Sequence, residues 1–354
     1  AITEGRMKPR EWDGRILVPF SPEAPLSGVN RSLQPWQTLW YRRTLDVSPR
    51  VGFRLLLHFG AVDQMAAVYV NDVLTAEHTG GYTAFSVDIT QYLKDTENVL
   101  TVAVLDGTDT NELSRGKQRT KRGGIWYTPQ SGIWQTVWME WVPDAYISAL
   151  HITPDVQRGC ARITVCSEQD VPCRIGFQGR SIDGMTNHEL TVAVDEPELW
   201  SPESPKLYSF YAVLGSDRVE SYFALRSVAA GADADGVPCL MLNGKPYYHS
   251  GVLDQGYWPD GLYTAPSDEA LIYDISLMKS MGFNMLRKHI KIEPLRWYYH
   301  CDRLGMLVWQ DMINGGGSYD PITISAPLIT RRHRSDHDYK RFARTDEFGR
   351  AQYY

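Results

Sequence analysis

Asn284-Met-Leu-Arg287-Lys288-His289-Ile-Lys291-Ile-Glu293-Pro294-Leu-Arg-Trp297-Tyr298-Tyr-His-Cys-Asp302-Arg-Leu-Gly305-Met-Leu-Val-Trp309 changes its period twice within one short stretch. Phe283 to Arg287 is apolar and short, the size of a strand. Glu293-Pro294 opens a helix, with Pro in the first turn, where its missing N–H costs nothing. That helix runs to about Leu304, and Gly305 stops it. Met306 to Trp309 is a strand again. Strand–helix–strand is the unit from which parallel α/β folds are built.

Moving upstream, the same alternation starts earlier. Met241-Leu242 and Tyr247-Tyr248 flank Asn243-Gly244, a hairpin turn. A strand follows from His249 to Asp254. Ser267 can cap a helix whose first turn holds Asp268 and Glu269, favourable at the positive end of the helix dipole. Leu271, Ile275, Met278 and Met281 share one face of it, and Gly282 ends it. The succession predicts the first βα units of a (β/α)8 TIM barrel. A full barrel takes about 250 residues, and only about 118 follow Gly236, so an incomplete barrel is expected. The polar stretch Asp336 to Tyr354 reads as helical.

Before Gly236 the pattern is β throughout. Asn98 to Leu105 is apolar enough to be buried on both faces, and Arg54 to Phe59 is similar. Val68-Tyr69-Val70 runs into Asn71-Asp72, a hairpin turn, and returns through Val73 and Leu74. Gly80-Gly81 breaks the chain before Tyr82 to Ile89, and Ile133 to Val142 alternates. Pro143-Asp144 marks a boundary. Short strands follow at Tyr146–Ile152, Ala161–Cys166, Arg174–Phe177, Leu190–Val194, Leu207–Val213 and Tyr222–Val228, and Ala229 to Gly236 reads as a linker or turn. The expected organisation is an all-β jelly-roll sandwich over 1–142, an immunoglobulin-like β-sandwich over 143–228 and the barrel start over 229–354.

The 354 residues are 43% apolar and 22% charged with a net charge of −6, a globular composition and not a disordered one. The one dense basic cluster, Arg331-Arg332-His333-Arg334, is short and reads as a solvated loop, so no nucleic-acid partner is expected. No apolar run reaches the roughly 20 residues that cross a bilayer, and Ala1 to Arg6 does not read as a signal peptide. The five cysteines form no Cys-x-x-Cys pair, which argues against a zinc site or disulfide framework and favours a cytoplasmic over an exported setting. Eleven Trp and twenty Tyr suit a carbohydrate protein, whose flat aromatic faces pack on sugar C–H faces, although large aromatic cores explain them equally.

The stretch from Asn284 to Trp309 resembles glycoside hydrolase family 2, the β-galactosidases, β-glucuronidases and β-mannosidases. Asn284, Arg287 three residues on, the pair Trp297-Tyr298, Asp302 and Gly305 with four apolar residues behind it hold the family spacing. Ile290-Lys291-Ile292 stands where the family usually has His-Tyr-Pro, with His289 one position early. Gly80-Gly81-Tyr82-Thr-Ala-Phe85 and Pro129-Gln-Ser131-Gly132-Ile-Trp134-Gln135 resemble the family's sugar-binding jelly roll. Leu199-Trp200-Ser-Pro202-Glu-Ser-Pro205-Lys-Leu-Tyr208 and Phe223-Ala224-Leu-Arg226 resemble its immunoglobulin-like domain, and Asn243-Gly244-Lys245-Pro246 resembles the hairpin leading into its barrel.

The resemblance implies a retaining β-glycosidase. Such enzymes work with two carboxylic acids about 5 Å apart. In the family both are Glu on later barrel strands, so neither is expected before Tyr354 and the chain alone is expected to be inactive. The sole Asn-Glu, Asn111-Glu112, falls in a polar loop of the first domain with Arg115, Lys117, Arg119, Lys121 and Arg122, and is set aside. What remains is a pocket wall at the strands' C-terminal ends: Asp254 with Gln255, Tyr257 and Trp258; Arg287 with His289; Trp309 with Asp311. Asp254 can accept bonds from two sugar hydroxyls, Trp258 can form an aromatic wall, and by resemblance Arg287 orients the nucleophile and keeps it ionised. Plainer readings make Arg287 an ion-pair partner, Asp254 a loop cap, His289 a satisfied polar residue, and Trp309 and Asp311 packing. Asp302 reads as structural, and Trp126, Tyr127, Trp134 and Trp138 as core. The expected partner is a carbohydrate, with β-galactosides first; a homo-oligomer is left open. No cofactor is expected, and magnesium or sodium enters only by analogy with family members. The rival reading is a non-catalytic carbohydrate-binding β-sandwich protein.

Overall fold

The computed structural model describes residues 8–317, 321–331, 337, 340, 342–343 and 345–351. The expectations for Ala1–Arg6, for Arg332 to Arg334 and for much of 336–354 lie outside them. Within that last stretch Glu347–Ala351 is a short helix, and Pro321–Thr330 forms another upstream.

The first region is a two-sheet sandwich. Its strands are β1 (Thr38–Leu45), β2 (Phe53–Phe59), β3 (Val62–Asp63), β4 (Met65–Val70), β5 (Val73–Thr79), β6 (Phe85–Asp88), β7 (Asn98–Leu105), β8 (Gly132–Ile133) and β9 (Val137–Pro143). One sheet has the order β1-β7-β4-β5 and the other β6-β2-β9. Leu55, Leu57 and Phe59 of the second sheet meet Val68, Val70, Val102 and Val104 of the first in one core. β7 is central and almost wholly buried, as its unbroken apolar run demands. Asn71 and Asp72 both take positive φ, 51° and 67°, the backbone that a two-residue hairpin turn requires.

The second region is another sandwich: β10 (Ala149–Asp155), β11 (Cys160–Cys166), β12 (Pro172–Phe177), β13 (Arg180–Met185), β14 (Glu189–Ala193), β15 (Tyr208–Leu214) and β16 (Asp217–Phe223). The sheets are β10-β11-β14 and β13-β12-β15-β16. β13, with its exposed and polar residues, escapes the sequence reading. β16 lies earlier than the expected Tyr222–Val228 strand. Ala229 to Gly236 is also corrected: β17 (Val228–Ala232) pairs with β18 (Pro238–Leu242), which turns through Asn243-Gly244 into β19 (Lys245–Pro246). Small residues suit β17 because all five are exposed and need only the ladder.

The third region alternates β20 (Gly251–Asp254), α1 (Asp268–Ser280), β21 (Met285–Lys288), α2 (Leu295–Leu304) and β22 (Leu307–Gln310). The strands are parallel in the order β20-β21-β22. Ser267 caps α1 by accepting from the Ala270 N–H at 3.2 Å. Gly305 caps α2 at φ 75°. Pro294 sits at the N-cap and not inside the first turn, and Met281 is the exposed C-cap residue of α1 and not part of its buried face. Leu271, Ile275, Leu286, Trp297, Cys301 and Met306 form the core between sheet and helices.

Two junctions orient the regions. Trp200 is fully buried against α2, and its Nε1 donates to the Asp302 carbonyl at 2.7 Å. Arg226 donates to Asp302 Oδ1 at 2.7 Å and lies over the Trp200 ring, while Tyr222 donates to Asp302 Oδ2 at 3.0 Å. Asp302 is thus the tie between the second sandwich and α2. Ala61, Tyr82, Trp134, Tyr263 and Ile313 make the junction between the first sandwich and the third region.

Candidate functional site

Successive side chains of a strand leave opposite faces of its sheet. Val252, Leu286 and Val308 face the helices. Arg287 and Trp309, register partners, therefore take the other face, where both are exposed. The ladder continues past the strand ends: His289 N–H donates to the Asp254 carbonyl at 2.8 Å, and Asp311 N–H to the Lys288 carbonyl at 3.1 Å. That alternation puts His289 and Asp311 on the face of Arg287.

These residues interact. Arg287 donates twice to Asp311, Nε to Oδ1 at 3.1 Å and Nη2 to Oδ2 at 2.9 Å, a planar fork on a carboxylate. The bond to Asp311 raises the Arg287 pKa. His289 Nε2 lies 3.8 Å from Asp311 Oδ2, and its buried Nδ1 has no partner. Burial, then the charge of Lys117, lowers the His289 pKa, so the ring is neutral at pH 7. Trp309 Nε1 donates to His249 Nδ1 at 2.9 Å, which assigns the proton of that imidazole to Nε2.

Asp254 and Trp258 do not join this group. Asp254 is in register with Lys288, not Arg287. Its Oδ2 accepts from Lys288 Nζ at 2.7 Å, and its Oδ1 accepts from the Gly256 N–H at 2.8 Å. It is a loop cap and an ion-pair partner on the helix-facing side. The expected convergence of Asp254 with Arg287 fails because the strand register assigns them opposite faces. Trp258 packs against the core beneath α1, with its Nε1 buried and unpartnered. Gln255, Tyr257 and Trp258 line, with Asp254, a separate hollow of about 410 Å³ between β20 and α1.

Sequence reading also missed a buried ionic cluster. Lys288 and Lys291 are 1% and 0% exposed. Both donate to Glu293 Oε1 at 2.8 Å. Lys291 also donates to the carbonyls of Gly256 and Tyr263, each at 2.7 Å. Burial lowers the Lys291 pKa to about 8, against the pull of Glu293. Burial works the same way on Lys288, but Glu293 and Asp254 outweigh it and lift the pKa. The signal in the sequence was the departure itself: three charges spaced among isoleucines in Lys288-His-Ile-Lys291-Ile-Glu293.

The first sandwich reaches this site through the long connection between β7 and β8. Arg115 and Gly116 N–H groups donate to the Asn314 carbonyl at 2.9 and 3.0 Å, and Arg115 Nη1 donates to the Gly316 carbonyl at 2.7 Å. At Gly116, φ +62°, a Cβ would meet Tyr263 OH at 2.8 Å and the Ile290 carbonyl at 2.9 Å, so only glycine allows this approach. Tyr127 stacks on Tyr257 with ring centroids 4.2 Å apart. Tyr127 is exposed, Trp126 half-buried and Trp138 46% exposed, so of the four aromatics expected in the core only Trp134 is there. Both carboxylate oxygens of Glu112 are engaged, by Thr345 Oγ1 at 2.7 Å and Asp346 N–H at 2.8 Å. Among the described residues no group of three or more His, Cys, Asp or Glu could hold a metal ion, and no helix is long and apolar enough to cross a membrane.

The family model described as glycosyl hydrolases family 2, sugar binding domain, matches residues 29–143, and the one described as glycosyl hydrolases family 2 matches 145–226. Together they take in more than half of the chain. A beta-galactosidase of Thermoanaerobacter pseudethanolicus is 26% identical over 303 residues, 77% of this chain and 39% of that protein. A beta-galactosidase of Bacteroides ovatus is 25% identical over 365 residues, 94% of this chain and 39% of that one. The chain therefore spans about two-fifths of the length of these curated relatives. Among solved structures, a Faecalibacterium prausnitzii beta-glucuronidase matches with TM-score 0.67 and 25% identity over 83% of this chain and 53% of that one.

Proposed function

The chain belongs to glycosyl hydrolase family 2, and from that premise we propose that it carries the sugar-reading face of a retaining β-glycosidase acting on a terminal β-linked sugar, with β-galactosides the first candidates. The observation that carries the reading is the arrangement of Arg287, His289 and Asp311 at the carboxyl ends of parallel strands, on the face turned away from the helices. In parallel α/β enzymes the chemistry gathers at such ends. In this reading β20 to β22 open a (β/α)8 barrel, and the open face is part of its interior.

The roles follow from the geometry. Asp311, held flat by Arg287, accepts bonds from sugar hydroxyls. Neutral His289 can donate from one ring nitrogen and accept at the other. Trp309 offers an indole face for the C–H side of a sugar ring. Arg287 uses two of its five donors on Asp311, and the others remain to hold an anionic nucleophile in its charged form. Double displacement needs two carboxylic acids about 5 Å apart. Asp311 is tied to Arg287 and Glu112 to Thr345 and Asp346, so we assign neither as acid or nucleophile, and the chain by itself is expected to turn nothing over.

A panel of nitrophenyl β-glycosides tests this directly. The expected result is no release of nitrophenol by the chain, together with a saturable interaction with galactose by NMR that Arg287→Ala abolishes. Turnover that disappears in Glu112→Gln would sink the assignment. Sugar binding without turnover in a version of the chain extended with the remaining barrel strands of a relative would favour the rival, a purely carbohydrate-binding role.

A further inference from the structure

The connection between β7 and β8 runs from Asp106 to Ser131 without a strand. Loops of that length are uncommon in compact domains and are usually either functional or linker segments. Its base is built like a core: Gln118, Gln130 and Ser131 are buried, Gln118 Nε2 donates to Asp63 Oδ2 at 2.8 Å, and Gln118 Oε1 accepts from the Gln130 N–H at 2.5 Å. Its tip is the opposite. Lys121, Arg122, Gly123, Gly124 and Ile125 are exposed, Ile125 at 63%. Arg119 lies over the Trp126 ring at 3.8 Å, with its Nε buried and unpartnered. Arg122 donates to Thr128 Oγ1 at 3.1 Å.

Four cations within six residues, Lys117, Arg119, Lys121 and Arg122, sit in a chain whose net charge is −6. None of the four forms an ion pair with a carboxylate among the described residues. Folding has not neutralised them, and the base of the loop fixes where they stand: Gly116 lies against the Ile290 carbonyl, next to His289, and Tyr127 stacks over Tyr257 at the neighbouring hollow beside Asp254. Cations and aromatic faces together are the chemistry that binds acidic sugars. Aromatic rings take the C–H faces, and guanidinium and ammonium groups take carboxylate or sulfate.

We propose that the loop from Lys117 to Tyr127 is an anion-reading rim, and that the glycan taken by this site carries acidic groups, carboxylate or sulfate, beyond its terminal sugar. The proposal rests on the sugar-site reading above and adds the substrate class to it.

The test is isothermal titration of the chain with three β-linked tetrasaccharides: hyaluronan, whose only anion is carboxylate, a chondroitin sulfate and a neutral β-galactan. The acidic ligands are expected to bind at least about tenfold tighter at low salt, with the advantage shrinking as salt rises. An advantage shared by both acidic ligands identifies carboxylate, which both carry, and one confined to the chondroitin sulfate identifies sulfate as the group read. Lys121→Ala/Arg122→Ala changes two exposed residues that lie outside Arg287, His289 and Asp311. It should weaken the acidic ligands about tenfold and leave the neutral one unchanged, with circular dichroism confirming the fold. Equal affinity for acidic and neutral glycans, or acidic binding that survives the double variant, overturns the rim alone. Failure of all three to bind overturns the sugar site and the rim with it. Equally tight binding of a single-stranded DNA of matched charge overturns the assignment to glycans.

Discussion

Arg287 and Lys288 are neighbours in the chain and opposites in the fold. Arg287 pairs with Asp311 on an open face, with the two side chains 45% and 22% exposed. Lys288 pairs with Asp254 and Glu293 behind the sheet and is sealed from water. Both are lysine- or arginine-to-carboxylate contacts near 2.8 Å, yet their energetics differ in kind. An exposed pair gives back most of its Coulomb energy to solvent screening. A buried one carries the cost of desolvation, and losing one partner leaves a charge that nothing answers. The open pair is free to exchange partners with a ligand; the buried cluster holds the loops that frame it.

The sharpest way to break that contrast is Glu293→Ala. It leaves buried Lys291 without a carboxylate and Lys288 with Asp254 alone, and should cost about 3–5 kcal/mol in denaturant unfolding; a loss under about 1 kcal/mol would mean water reaches the cluster. Next come buried carboxyl groups that pair with no cation among the described residues. Glu23 and Asp106 are buried in the first sandwich, and desolvation raises them to about 7 and about 6. Unfolded, they ionise near their ordinary 4.5 and 3.8. Between those values and the folded ones the native state holds more protons, so their contribution to stability falls as pH rises from about 4 to about 7. Relative to Glu23→Gln, the Tm of the parent chain should decline across that window; a difference that does not change with pH counts against burial as its cause. Asp302→Ala tests an intermediate case, a half-buried carboxylate shared by Arg226 and Tyr222. It should cost about 1–3 kcal/mol, and near-zero change would make the junction dispensable. Arg287→Ala is the smallest: at most about 1 kcal/mol in unfolding, while galactose binding disappears. A larger stability loss would make Arg287 a structural residue.

Much of the fold was legible because the signals are local. The unbroken run from Asn98 to Leu105, the left-handed pair Asn71-Asp72, the Ser267 cap and the Gly305 stop each act within a few residues. The site was half legible. Arg287, His289 and Asp311 share a face because alternation from one strand continues past its end. Asp254 was misplaced because its partner depends on register between strands, which sequence spacing does not fix. β17 read as a linker because its ladder, not its side chains, makes it a strand. The contact of Tyr127 with Tyr257 and the sharing of Glu293 by two lysines are tertiary events, and no local pattern announces them.

The loop that brings Gly116 against Tyr263 has a consequence in time as well as space. Its anchors lie more than a hundred residues apart in the chain: Tyr82 OH meets Tyr263 OH at 3.2 Å across 181 positions. During synthesis the first sandwich can close its own core long before those partners leave the ribosome, because domains fold in the order they emerge. The basic tip is then displayed without its backing until the parallel strands arrive. Assembly of the open face therefore follows closure of the first sandwich, because the residues that make it are synthesised later.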